Sequence, residues 1–239
     1  MILYVNGDSH SAGAEAVNPH AFAEDDRLYW ALGRKPHPDN LRASYGCELA
    51  NLMGAILECD AESASSNDRI FRTTQKYLQT ETPDYLVIGW TTWEREEWTH
   101  NDRVYQVTAS GTDTVPKELQ TQYKEWVIEQ SDPAVRHKKI KDMHDRIWKL
   151  HNDLDQRCIP HLFFNTYSDF NTIQQLGVET YNWGQSYLRP YNIDSTYYNW
   201  CLANGFKTVN PNSYHFGADA HCAWGNYLYQ NFVQNTLTS

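Results

Sequence analysis

The sequence has no apolar run approaching the roughly 18 residues that a membrane-spanning helix requires. Its first residues also lack a basic stretch followed by an apolar run of signal-peptide length, so synthesis and folding in a cytoplasm are expected, with export by lysis or as part of a particle left open. Positive charge is scarce. With 20 Lys and Arg against 30 Asp and Glu, the formal net charge of -10 argues against the clustered basic face of a nucleic-acid binder. The richest basic run, Arg136 to Lys141, reads as a solvated helix face.

Cysteine is sparse and odd in number. Cys47, Cys59, Cys158, Cys201 and Cys222 are widely spaced, form no CxxC pair and read as reduced residues of the core. His10 with His20, or His137 with His144, lacks ligand spacing to a third partner, so no metal site is expected. No glycine-rich phosphate cradle is present either, and no cofactor is expected. Pro/Gly/Ser-rich linkers, internal repeats and low-complexity tracts are absent, which points to one domain over 1–239.

Aromatics, in contrast, are abundant. Nine Trp and 16 Tyr exceed what one core of this size holds, so part of them is expected in grooves and interfaces. Strand-type runs occur at 2–5, 85–89 and 161–165. Apolar periodicity predicts helices over Glu48 to Glu58 and Arg69 to Leu78, and another from Pro133, capped by Asp132, through Leu154. A helix over Pro116 to Gln130 and a final one from about Ala218 complete the set. Strands alternating with helices of this length imply right-handed crossovers and a mainly parallel sheet. Two excursions, at 94–130 and 166–206, interrupt the rhythm, and loops this long usually serve function or a partner.

The first strand runs into Asn6, Gly7, Asp8, Ser9 and His10, and a glycine there permits a sharp turn at a carboxyl-terminal strand end, where open α/β sheets build their sites. Near the other terminus, Asn212, Ser213, Tyr214, His215, Phe216 and Gly217 precede the last helix. Histidine activates a serine hydroxyl near neutral pH, which makes Ser9 a candidate nucleophile and His215 a candidate base. His221 competes for that role but falls inside the final helix, and His10 is expected to point away from Ser9.

This pairing, in this order, resembles the SGNH (GDSL-like) hydrolases, as do Ala64 to Ile70 at the place of the family's second block and Val87 to Trp93 at that of its third. The resemblance implies a three-layer α/β/α flavodoxin-like sandwich with a mainly parallel five-stranded sheet, and a serine ester hydrolase. It implies that Asp8 orients the turn. Oxyanion donors would come from the backbone at Ser9, from Ala64 or Ser65, and from Thr91 or Thr92 where the family has asparagine. Asn67 is either an alternative amide donor or a brace of the turn, and Trp93 stands beside the substrate region. Arg69, Arg72 and Arg95 either bind an anionic substrate group or pair with nearby acids.

The family's aspartate, two or three residues ahead of its histidine, maps to Ser213 or Asn212, and neither is acidic. A Ser9–His215 dyad with Asn212 fixing the tautomer is the resulting expectation. The aromatic excess favours an O-acetyl or other acyl ester of a carbohydrate as substrate. The rival reading keeps the fold and drops the chemistry: a binding or structural module, for example a virion component holding a glycan or a neighbouring protein, as in phage-related variants that the second and third blocks resemble.

Overall fold

A computed structural model describes residues 1–22, 33–109 and 115–234. Four parallel strands form the central sheet: β1 (Ile2–Gly7), β2 (Ile56–Cys59), β3 (Tyr85–Trp90) and β6 (His161–Asn165), in the order β2-β1-β3-β6. A fifth position is occupied only by a single parallel bridge from Phe163 to Tyr187, where Phe163 N–H donates to Ser186 and Leu188 N–H donates back. The five full strands expected from the sequence are thus four among the described residues. The fifth stops after one rung because Pro190 follows and the chain turns away.

Alternation along the strands assigns the two faces. Leu3, Val5, Tyr85, Val87, Leu162 and Phe164 point to one side, where α2 (Tyr45–Met53), α7 (Tyr197–Ala203) and α8 (Ala218–Leu228) cover them. Tyr4, Leu86, Ile88, Trp90 and Phe163 point to the other, against α3 (Asn67–Thr80) and α5 (Pro133–Gln156). The result is a three-layer α/β/α sandwich. Two short helices, α1 (Pro38–Arg42) and α6 (Asn171–Gln175), lie at its margins. Among the described residues, no helix is long and apolar enough to cross a membrane.

The helix expected over Glu48 to Glu58 is in fact a helix followed by a strand. α2 ends at Gly54, whose φ of 63° lies in the left-handed region that closes helices at low cost for glycine, and the β-branched and apolar run after it becomes β2. α5 starts as expected, with Asp132 accepting from Ala134 N–H and Pro133 at the first position. The 94–130 excursion contains an antiparallel hairpin of β4 (Glu96–His100) and β5 (Arg103–Val107), which packs with α4 (Gln120–Gln130) through Val107, Tyr123 and Trp126. Its part at 110–114 lies outside the described residues.

Most aromatics of the 166–206 excursion turn inward rather than outward. Tyr181 stacks on Trp148 at 4.5 Å and on His144 at 4.7 Å, while Trp183 and Tyr187 are buried against the α5 face of the sheet. Much of the aromatic excess is therefore core, because stacked and edge-on rings fill the space a longer crossover helix would occupy.

Candidate active site

The strand order β2-β1-β3-β6 reverses direction between β1 and β3, and open α/β sheets bind ligands at the carboxyl ends of strands flanking such a reversal. Gly7, at the end of β1, sits at that point with φ 156°. A Cβ there would lie 2.1 Å from Ser11 Oγ and 2.8 Å from the Gly89 carbonyl, so only glycine lets the chain turn so close to β3. Ser9 follows on a tight turn whose Asp8 and Ser9 carbonyls accept from Ala12 and Ala14 N–H, each at 2.9 Å.

A cleft of about 850 Å³ opens over this turn. Ser9, His10, Glu15, Ala64, Thr92, Arg95 and His215 line it, with Tyr167 and Tyr214 among its further lining residues. His215 is presented just ahead of α8, and its backbone is held by a donation from Val209 N–H at 2.9 Å and by its own N–H to Ser213 Oγ at 3.0 Å.

The partner of His215 comes from an unexpected place. His215 Nδ1 lies 2.5 Å from Glu15 Oε2, and Ser213 Oγ donates to the same oxygen at 2.5 Å. A carboxylate only accepts, so Nδ1 carries the proton and Nε2 is left as the basic nitrogen. Partial burial pushes the Glu15 carboxyl up, but the bonds from Ser213 and His215 outweigh it and hold the group below the usual carboxylate range. Glu15 takes a left-handed φ of 62°, uncommon for a residue with a side chain. Asn212 is exposed, its N–H spent on Asn210, and it does not touch His215. The resemblance placed the acid two or three residues ahead of the histidine, whereas the carboxylate that meets His215 lies six residues after Ser9, where no local pattern marks it.

Asp8 is buried beneath the turn. Its Oδ1 accepts from His10 N–H at 3.0 Å, and Oδ2 accepts from Thr91 Oγ1 at 2.7 Å and Thr166 Oγ1 at 3.2 Å, with Arg95 3.6 Å away. Burial raises its pKa, and the charges of His10 and Arg95 with these bonds more than reverse that, so the group stays ionised and ties the turn to the ends of β3 and β6.

Several residues expected at the oxyanion are committed elsewhere. Asn67 Oδ1 accepts from Thr91 N–H at 2.9 Å while its amide donates to the Thr91 carbonyl at 3.1 Å, so it braces the exit of β3. Thr91 Oγ1 serves Asp8, Ser65 Oγ donates to the Glu62 carbonyl, and Trp93 Nε1 donates to Asp169 while its ring stacks on Phe170 at 4.3 Å. None of these four lines the cleft, whereas Asp8 and Thr92 do. Ala64, at φ 69°, takes the second-block position at the cleft wall.

His10 lines the same cleft as Ser9, its ring 5.3 Å from that of His215, and burial pushes its pKa down to about 4. His221 is buried, stacked on Tyr45 and beside Tyr197, away from the cleft, and burial pushes it down to about 3. Arg69 pairs with buried Glu62 at 2.7 Å and Arg72 with Glu97 at 2.8 Å, which leaves Arg95 as the arginine of these three at the cleft.

No protein-family model and no curated protein matches the chain significantly. Among solved structures, it is similar to a carbohydrate esterase whose active site is described as displaying divergent catalytic and non-catalytic binding functions, at 14% identity and TM-score 0.47, over 98% of this chain and 64% of that one. A carbohydrate esterase family 2 enzyme plus carbohydrate-binding domain from Corynascus thermopiles (Myceliophthora fergusii) matches at 13% identity and TM-score 0.42, over 98% and 65% of the two chains. A protein of the G-D-S-L family from Desulfitobacterium hafniense DCB-2 matches at 13% identity and TM-score 0.37, over 96% and 98% of the two chains. This chain thus spans a little under two thirds of the first two. Asp8 and Ser9 after β1, Ala64 after β2, Thr92 after β3 and His215 ahead of α8 line one cleft on the β2-β1-β3-β6 sheet, so the four blocks that resemble those of SGNH hydrolases meet in one place on an α/β/α sandwich.

Proposed function

We propose that this chain is a serine ester hydrolase with Ser9 as nucleophile, His215 as base and Glu15 as the carboxylate that orients it. The observation that carries the reading is the 2.5 Å contact from Glu15 to His215 Nδ1 in the cleft that Ser9 lines. Ser9 Oγ attacks the ester carbonyl carbon while His215 Nε2 takes its proton, and the imidazolium so formed is stabilised by ionised Glu15. The tetrahedral intermediate expels the alcohol, which receives that proton, and water deprotonated by His215 then releases the acid from Ser9. The backbone N–H groups of Ser9 and Ala64 donate to no other described residue and are the oxyanion donors of this reading, with the Arg95 cation nearby.

An acyl ester of a carbohydrate is the substrate class we favour. Its support is the exposed pair Tyr167 and Tyr214 at the cleft, 38% and 61% accessible with ring centres 5.9 Å apart, because flat rings pack on sugar faces. The second reading, a glycan- or protein-binding module of the same fold, is favoured by the absence of any Asn or Gln side chain among the described residues lining the cleft, where the family places an amide donor. A fluorophosphonate probe decides between them. Labelling mapped to Ser9 and lost in Ser9→Ala supports the hydrolase, and an unlabelled, folded protein supports the module.

A further inference from the structure

A second cluster of ligating side chains lies at the other end of the strands. His161 opens β6, and the last turns of α5 place His151 and Asp155 over it, so that one ligating atom of each falls within 4.8 Å of the others. Sequence spacing alone gave no hint of this set, because the tight turn of 157–160 that folds β6 back onto α5 is what closes it.

The hydrogen bonds fix most of the protons. His161 Nδ1 is 2.9 Å from the Ile159 carbonyl, which can only accept, so Nδ1 carries the proton and Nε2 presents a lone pair. That lone pair faces His151 Nδ1 at 2.8 Å. A neutral His151 must then place its own proton on Nδ1, which leaves its Nε2 lone pair turned toward the Asp155 carboxylate 3.5 Å away. Two acceptors face one another there.

We propose that His151 Nδ1 and His161 Nε2 bind a divalent transition ion of the zinc type in place of the proton they share. Binding moves that proton from His151 Nδ1 to Nε2, where Asp155 accepts it, so the neutral pair releases none. Each ligating imidazole then has its outer nitrogen held by an oxygen, a carboxylate for His151 and the Ile159 carbonyl for His161, the arrangement that orients metal-bound histidines. Two nitrogens at 2.0–2.1 Å from a tetrahedral ion stand about 3.3 Å apart, so the rings open by about half an ångström. Imidazole pairs select zinc-type ions over calcium or magnesium, which prefer oxygen. Asp155 is exposed and marks the side from which the ion and its waters enter, while Trp148 and Phe163 wall the other sides with rings 5.0 Å from those of His151 and His161. None of this depends on the esterase reading.

Calorimetric titration of the whole chain with ZnCl₂, after treatment with a chelator and its removal, tests the proposal. One ion per chain is expected, with affinity lost in His161→Gln and reduced about 10–100-fold in Asp155→Asn, whose exposed side chain leaves folding intact. Glu15→Gln should bind zinc as the parent does, which separates this site from the cleft. Imidazole proton–nitrogen NMR should show His151 passing from the Nδ1–H to the Nε2–H form as zinc is added. No binding, undiminished binding in Asp155→Asn, zinc perturbing His215 instead, or a doubly protonated His151 at neutral pH would each overturn it.

Discussion

His215 and Glu15 stand 200 positions apart in the chain and 2.5 Å apart in space. The contact brings a carboxylate from the Ser9 loop against the histidine ahead of α8, in a cleft that all three residues line.

Glu15→Gln should lower kcat on p-nitrophenyl acetate by at least about a hundredfold, since an amide at this place no longer stabilises the imidazolium and can hold the wrong tautomer. Glu15→Asp should restore part of the loss. Steady-state kinetics check both, and a Glu15→Gln enzyme with parental kcat would remove Glu15 from the site.

Tyr214→Ala should leave kcat/KM on the small aryl ester unchanged and raise KM on an O-acetylated oligosaccharide about tenfold, because a stacked ring contributes about 1 kcal/mol or somewhat more. Parallel losses on both substrates would contradict a sugar platform.

Asn67→Ala should destabilise the fold by about 2–3 kcal/mol, leaving the buried Thr91 N–H and carbonyl without partners. Urea denaturation measures the loss. Activity per folded molecule should persist, which a direct oxyanion donor would not allow.

Acid should unfold the protein early. His10 and His161 are pushed to about 4 and His221 to about 3 in the folded state, against about 6.5 when exposed. Between those values the unfolded chain binds more protons, so stability is full above pH of about 6.5 and falls as pH drops toward about 4, by about 1.4 kcal/mol per pH unit for each group. Glu15 and Asp8, depressed in the folded state, add losses at the acid end of the window. The urea midpoint should therefore drop steeply from pH 6.5 to 4.5; a flat profile would mean that these imidazoles are charged in the native protein.

Much of the scaffold could be read from letters alone. The runs at 2–5, 85–89 and 161–165 are apolar at successive positions because both sheet faces are covered, and α5 announces itself by Asp132 and Pro133. β2 was hidden because Ile56 and Leu57 continue the helical spacing of Leu49, Leu52 and Met53, and only the left-handed turn at Gly54 separates them. That Ser9 and His215 would line one cleft was legible from their blocks. Glu15 was not, since nothing local couples it to a histidine on the far terminus, and Asn67 could be assigned as a brace only once Thr91 was seen across from it.

The placement of His215 ahead of α8 also sets when the cleft comes into being. α8 docks on α2 through Trp224 and Leu228, and Tyr45 of α2 hydrogen-bonds Ser11 beside the nucleophile at 2.7 Å. Ser9 and His215 therefore come to line one cleft only once α8 has docked on α2, so the cleft belongs to the finished sandwich and not to either end of the chain alone.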